Sequence, residues 1–128
     1  MPLPKAIGRF NRQVTNPLAR HIAGWAPGFC ILRHVGRHSS RVYHTPLNVF
    51  EVAGGFVFAL TYGPDTDWVK NVVAAGGCTI RHERIDYALV RPRFLPVEQG
   101  MASVPAMVRL ILRLVGVTDF LRMERSDG

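Results

Sequence analysis

A chain of 128 residues, 48% of them apolar, is long enough to bury one core and short for two, so a single domain spanning 1–128 is expected. Lys and Arg number 16 against 9 Asp and Glu; the resulting charge of +7 suits polyanions, phosphorylated cofactors or anionic membranes as partners. No stretch reaches the roughly 18 apolar residues of a membrane span, and Lys5, Arg9, Asn11, Arg12 and Gln13 interrupt the apolar run a secretory leader needs. A cytoplasmic protein is expected, with a peripheral position at the inner face of the plasma membrane as its variant.

Along the chain, Ile7, Phe10, Val14, Leu18 and Ile22 recur at spacings of three and four, with Lys5, Arg9, Arg12 and Arg20 elsewhere on the surface. This pattern predicts a basic helical segment over 1–27, broken near Asn16 and Pro17, whose face would suit an anionic membrane. From Phe29 the period changes. Segments 29–34, 42–52 and 56–62 are rich in β-branched and aromatic residues and are separated by glycine-bearing turns, which predicts three antiparallel strands.

Gly63 and Pro64 break the third strand, and Asp65 or Thr66 is placed to cap a helix from Asp67 to Ala75 that Gly76 and Gly77 stop. Segments 78–82 and 85–94 read as a hairpin turning near Glu83 and Arg84. Pro92 and Pro96 end it, Ser103 is placed to cap a helix through Leu114, and 119–123 reads as a last strand. Many strands, few helices and no βαβ alternation predict a small α+β barrel that hides its strand edges.

Cys30 and Cys78 lie in apolar, strand-like surroundings and read as buried, inert thiols. Cys30 and His34, four apart on one strand, are about 13 Å apart and cannot chelate one ion unaided, so no metal site is expected. There is no Gly-rich dinucleotide fingerprint and no NTPase phosphate loop.

Two clusters carry candidate chemistry. The turn Gly36-Arg37-His38-Ser39-Ser40-Arg41 gathers guanidiniums, hydroxyls and flexible backbone, an anion cradle or else a solvated basic turn. Leu60-Thr61-Tyr62-Gly63 ends a strand just before Asp67-Trp68-Val69-Lys70-Asn71 starts a helix, whose free N–H groups attract anions while Asp65 and Asp67 compete for them. Taken alone, Trp68 reads as a core anchor and Asn71 as a loop tie.

In combination, Gly36-Arg37-x-Ser39, Thr45-Pro46-Leu47, a Gly54-Gly55 hairpin and Trp68-x-x-Asn71 resemble the deazaflavin-dependent nitroreductases, the split β-barrel oxidoreductases that use coenzyme F-420. The resemblance covers residues 31–94 and implies a six- or seven-stranded, mostly antiparallel split barrel with flanking helices. It implies that Arg37, His38 and Ser39 hold the phosphate and acidic tail of the coenzyme. Tyr43, His44, Thr45, Pro46, Leu47 and Asn48 would line it along the next strand. Leu60, Thr61, Tyr62 and Gly63, with Asp67, Trp68, Val69, Lys70 and Asn71, would lie close to its ring system.

The function so implied is transfer of hydride from reduced deazaflavin to an electron-poor acceptor such as a quinone, an enone or a nitro compound. The proton for the reduced product would come from solvent or from a side chain such as Tyr62, which would need to come within about 3 Å of the acceptor. Ser40 stands where the family usually has glycine, and Tyr43 where arginine is common. No tyrosine follows Tyr87, and 105–115 is apolar with Arg109 and Arg113, so nitroimidazole activation is not implied. The alternatives are flavin mononucleotide (FMN) in the same barrel and a non-enzymatic module for anionic membrane. Basic and aromatic residues are not interleaved as a nucleic-acid platform requires. Family analogy, in which a second subunit often closes the site, leaves a homodimer open.

Overall fold

The computed structural model describes residues 28–126. The basic amphipathic segment expected over 1–27 lies outside them. The elements in chain order are β1 (Phe29–Val35), β2 (Val42–Asn48), β3 (Phe50–Val52), β4 (Gly55–Ala59), α1 (Asp67–Ala75), β5 (Gly77–His82), β6 (Ile85–Leu95), α2 (Val97–Ala102), α3 (Ala106–Leu114) and β7 (Phe120–Arg125).

All seven strands join one antiparallel sheet in the order β2-β1-β5-β6-β7-β4-β3. This order forces curvature. β2 and β3 occupy opposite edges, roughly 29 Å apart if seven strands lay flat, yet one residue, the buried Val49, joins them. Two peptide steps reach only about 7 Å. The sheet therefore curls until its edges meet, the split-barrel α+β architecture that was expected.

The expected strand over 42–52 is accordingly two strands. Residues 42–48 pair with β1 and 50–52 with β4, so there is no simple three-stranded meander. The third expected strand stops at Ala59, and Leu60 to Tyr62 turn away from the sheet. The Gly54-Gly55 hairpin forms, Gly54 taking the left-handed φ of +76° that the turn requires. Glu83 and Arg84, both at positive φ, make the two-residue turn between β5 and β6.

Pro92 does not end β6. The strand absorbs it at a bulge between Val90 and Arg93, with Arg91 at φ +55°, and continues to Leu95. The helix expected from Ser103 is interrupted as well: Ser103 closes α2, its hydroxyl donating to the Gln99 carbonyl, and α3 begins after Pro105.

Two cores follow from β4, which is buried on both faces. Phe56 and Phe58 point into the barrel with Leu32, Val69, Val72, Ile80, Leu89 and Leu121. Val57 points outward to Phe120, Met101, Val104 and Leu112 beneath α2 and α3. Gly100 is required there, because a Cβ would collide with the Phe120 ring.

Cys30 is buried and Cys78 partly so. Burial pushes the Cys78 thiol up to about 12 and that of Cys30 further still, so both stay protonated at neutral pH. α3 leaves Met107, Leu110, Ile111 and Leu114 exposed. No helix among the described residues is long and apolar enough to cross a membrane.

Candidate functional site

Two cavities open side by side along β2 and the start of α1. One, of about 520 Å³, is walled by the 36–39 turn, by Tyr43, His44 and Thr45 of β2, and by Asp67 and Asn71 of α1, over a floor that includes His34. The other, of about 470 Å³, is walled by Pro46, Leu47 and Asn48, by Ala59 to Gly63, and by Thr66, Trp68 and Phe29. A single edge strand, proline-tolerant because its outer side makes no ladder, thus runs from a polar compartment into an apolar one.

The polar compartment is organised by the β1–β2 turn. Gly36 N–H donates to the Arg41 carbonyl at 2.7 Å and Ser40 N–H to the Gly36 carbonyl at 3.0 Å, with Ser40 at φ +60°. This curl leaves His38 and Ser39 exposed at the rim. Arg37 is drawn inward: its backbone N–H and its Nη1 both donate to Asn71 Oδ1, at 3.1 and 2.8 Å, and Nη2 lies 3.7 Å from the Asp67 carboxylate. Its side chain remains 26% exposed, so the guanidinium is held but not sealed from solvent.

Beneath it, His34 is 4% exposed. Its Nε2 lies 3.1 Å from Thr45 Oγ1, its Nδ1 lies 3.0 Å from Asn71 Nδ2, and the Tyr43 ring stacks on it at 5.5 Å.

Packing holds the apolar compartment. Trp68 is 6% exposed, tilted against Phe58 at 5.6 Å, and turns one side to the cavity beside Leu47 and Leu60. Thr66 occupies the N-cap of α1, yet its hydroxyl makes no capping bond and is buried without a hydrogen-bond partner.

Most of the sequence candidates converge here. Arg37, His38, Ser39, Tyr43, His44, Thr45, Asp67 and Asn71 line the polar compartment, while Pro46, Leu47, Asn48, Leu60, Thr61, Tyr62, Gly63 and Trp68 line the apolar one. The helix start is divided: Asp67 and Asn71 face the basic turn, and only Trp68 joins Leu60–Gly63. Val69 is sealed in the barrel core and Lys70 lies exposed, so neither reaches either cavity.

Phe29, His34, Ala59 and Thr66 also line the cavities and were not among the candidates. His34 had a signal, since strand parity puts it on the inward face with Cys30 and Leu32. Among the described residues, no three His, Cys, Asp or Glu side chains gather to hold a metal ion.

No family model matches this chain, and no curated protein matches it. Among solved structures, the chain is similar to one described as an F420-H2 dependent reductase (FDR-A). The TM-score is 0.55 at 16% sequence identity, over 76% of this chain and 94% of that one. At that identity the likeness is one of fold.

Proposed function

We propose that this protein is an oxidoreductase that binds coenzyme F-420 along β2 and directs hydride from the reduced coenzyme to an electron-poor organic acceptor. The observation that carries the reading is the two-compartment groove. A basic turn with a fixed guanidinium adjoins an apolar, aromatic-walled slot, matching an elongated ligand with an anionic tail and a flat ring. The similarity in fold to an F420-H2 dependent reductase supports it.

In this reading Arg37 donates to the anionic tail, with His38 and Ser39 at the rim adding donors that adapt to its path. Trp68, Leu47 and Leu60 give the ring an apolar wall that excludes water. When bound, the deazaflavin supplies two-electron hydride chemistry. The chain's own work is then to orient and to protonate: Tyr62, on the wall of the same compartment, is the candidate donor to the reduced acceptor. Quinones, enones and nitro compounds are the acceptor classes to screen.

The test is titration of the protein with oxidised coenzyme F-420, read by tryptophan quenching, with FMN in parallel. Micromolar binding selective for the deazaflavin is the expected result. Preference for FMN would place a flavin in the same groove, and binding of neither would remove the coenzyme reading.

A second reading rests on α3. Met107 and Leu114 are 77% and 78% exposed, with Leu110 and Ile111 between them and Arg113 exposed on the flank. Such a face suits shallow insertion into an anionic bilayer, which is compatible with a lipid-soluble acceptor. Co-flotation with phosphatidylserine vesicles at low salt, weakened by Leu110→Ser with Leu114→Ser, is the expected outcome. An unchanged flotation or none would discard it.

A further inference from the structure

The hydrogen bonds around Asn71 have a direction, and it is set from below. Asn71 Oδ1 receives two donors from Arg37, the backbone N–H and Nη1–H. Turning the carboxamide over would set its NH2 against both, so the oxygen must face the turn. Nδ2 is then a pure donor, and the atom it meets at 3.0 Å, His34 Nδ1, must be a bare acceptor. In the neutral ring the proton therefore sits on Nε2, which donates to Thr45 Oγ1 at 3.1 Å.

The ring is fixed in turn. His34 is paired with Tyr43 of β2 and stacked against that ring. The guanidinium at the other end is held, among the described residues, by Asn71 at 2.8 Å and by Asp67 at 3.7 Å.

We propose that His34 is a positioning residue for the anion-binding end of the groove: its unprotonated Nδ1 orients the Asn71 carboxamide, and Asn71 in turn places Arg37 for the ligand. The functional part of this rests on the coenzyme reading; the orientation of the network does not. His34 lies in the cavity floor but is only 4% exposed. Its effect on affinity passes through Asn71.

Two substitutions separate this role from simple core packing. In His34→Asn the side-chain oxygen falls close to where Nδ1 was and still accepts from Asn71, while the contact to Thr45 is lost. In His34→Gln the terminal amide reaches toward Thr45, and the acceptor facing Asn71 is lost. Retention of F-420 affinity within about twofold in His34→Asn, with roughly a tenfold loss in His34→Gln, is the expected order. Equal losses, or the reverse order, would overturn the proposal.

A readout on the free protein keeps the question independent of the coenzyme. Nitrogen-15 spectra of the wild type at neutral pH should show His34 with a proton on Nε2 and none on Nδ1. The Arg37 backbone amide resonance should move in His34→Gln and stay in His34→Asn. A ring protonated on Nδ1 would overturn the proposal even where F-420 binds. The expected tautomer with no F-420 binding would retain the network and remove only the coenzyme.

Discussion

The two ends of the groove share a strand and a helix start but are built by opposite means. At the polar end, side chains satisfy one another before any ligand arrives: Thr45, His34, Asn71 and Arg37 form one directed chain of hydrogen bonds. At the apolar end, shape does the holding, with Trp68 wedged against Phe58 and one hydroxyl, on Thr66, left unanswered. A guanidinium is expensive to misplace in a partly desolvated site, so it is preorganised. An apolar wall needs only to be rigid and dry.

The largest expected effect comes from removing the apolar wall. Trp68→Ala deletes a nearly buried indole from both the barrel core and the cavity, and should destabilise the fold by about 3 kcal/mol, read by urea denaturation. It should abolish measurable F-420 binding with it. A variant that unfolds normally but has lost the ligand would show that Trp68 belongs to the site rather than to the core.

The polar end should separate these properties. Arg37→Ala removes charge-assisted donors from a side chain already 26% exposed, so F-420 affinity should fall on the order of 10- to 100-fold while stability changes by less than about 1 kcal/mol. The residual binding should depend less on salt. Equal losses of both would collapse the contrast between the two ends.

Thr66→Val asks what the orphaned hydroxyl costs. Because it is buried and makes no capping bond, its replacement by a methyl should raise stability by about 1 kcal/mol in thermal unfolding, while leaving F-420 affinity unchanged. Ser40→Gly tests the turn itself: relieving a left-handed serine should add about 0.5 to 1 kcal/mol with ligand affinity unchanged.

An effect confined to alkaline pH lies in the core behind both compartments. The Cys78 thiol is raised from its ordinary 9.0 to about 12 by burial, so its contribution to stability is complete below pH 9 and is lost as pH climbs toward 12. Replacement by alanine should flatten the alkaline limb of the stability profile over that window and leave the profile below pH 9 parallel to that of the parent.

What could be read from the sequence about the site was decided by adjacency. The basic turn, the β2 residues and Leu60 to Gly63 each line a cavity because a turn or strand end carries its neighbours together. Val69 and Lys70 fail because a helix sends consecutive residues 100° apart, so Trp68 and Asn71 reach the groove while the two between them face the core and the solvent. His34 was hidden by its type: a histidine on a strand announces nothing until its partners are known, and those partners lie 11 and 37 residues away.

The same division runs through the fold. Local rules were sufficient for α1, bounded by Thr66 and a left-handed Gly76, for the Gly54 turn and for the β5–β6 hairpin, because caps and turns are decided by a few contiguous backbone angles. The break of the expected 42–52 strand at Val49 and the passage of β6 through Pro92 depended on contacts across the molecule, whereas Ser103 and Pro105 divide the last helical region locally. Sequence by itself determined most of the strand segments, α1 and which turn is basic. Only the tertiary structure decided that β2 and β3 lie on opposite edges, since curling a sheet into a barrel is a property of all seven strands together.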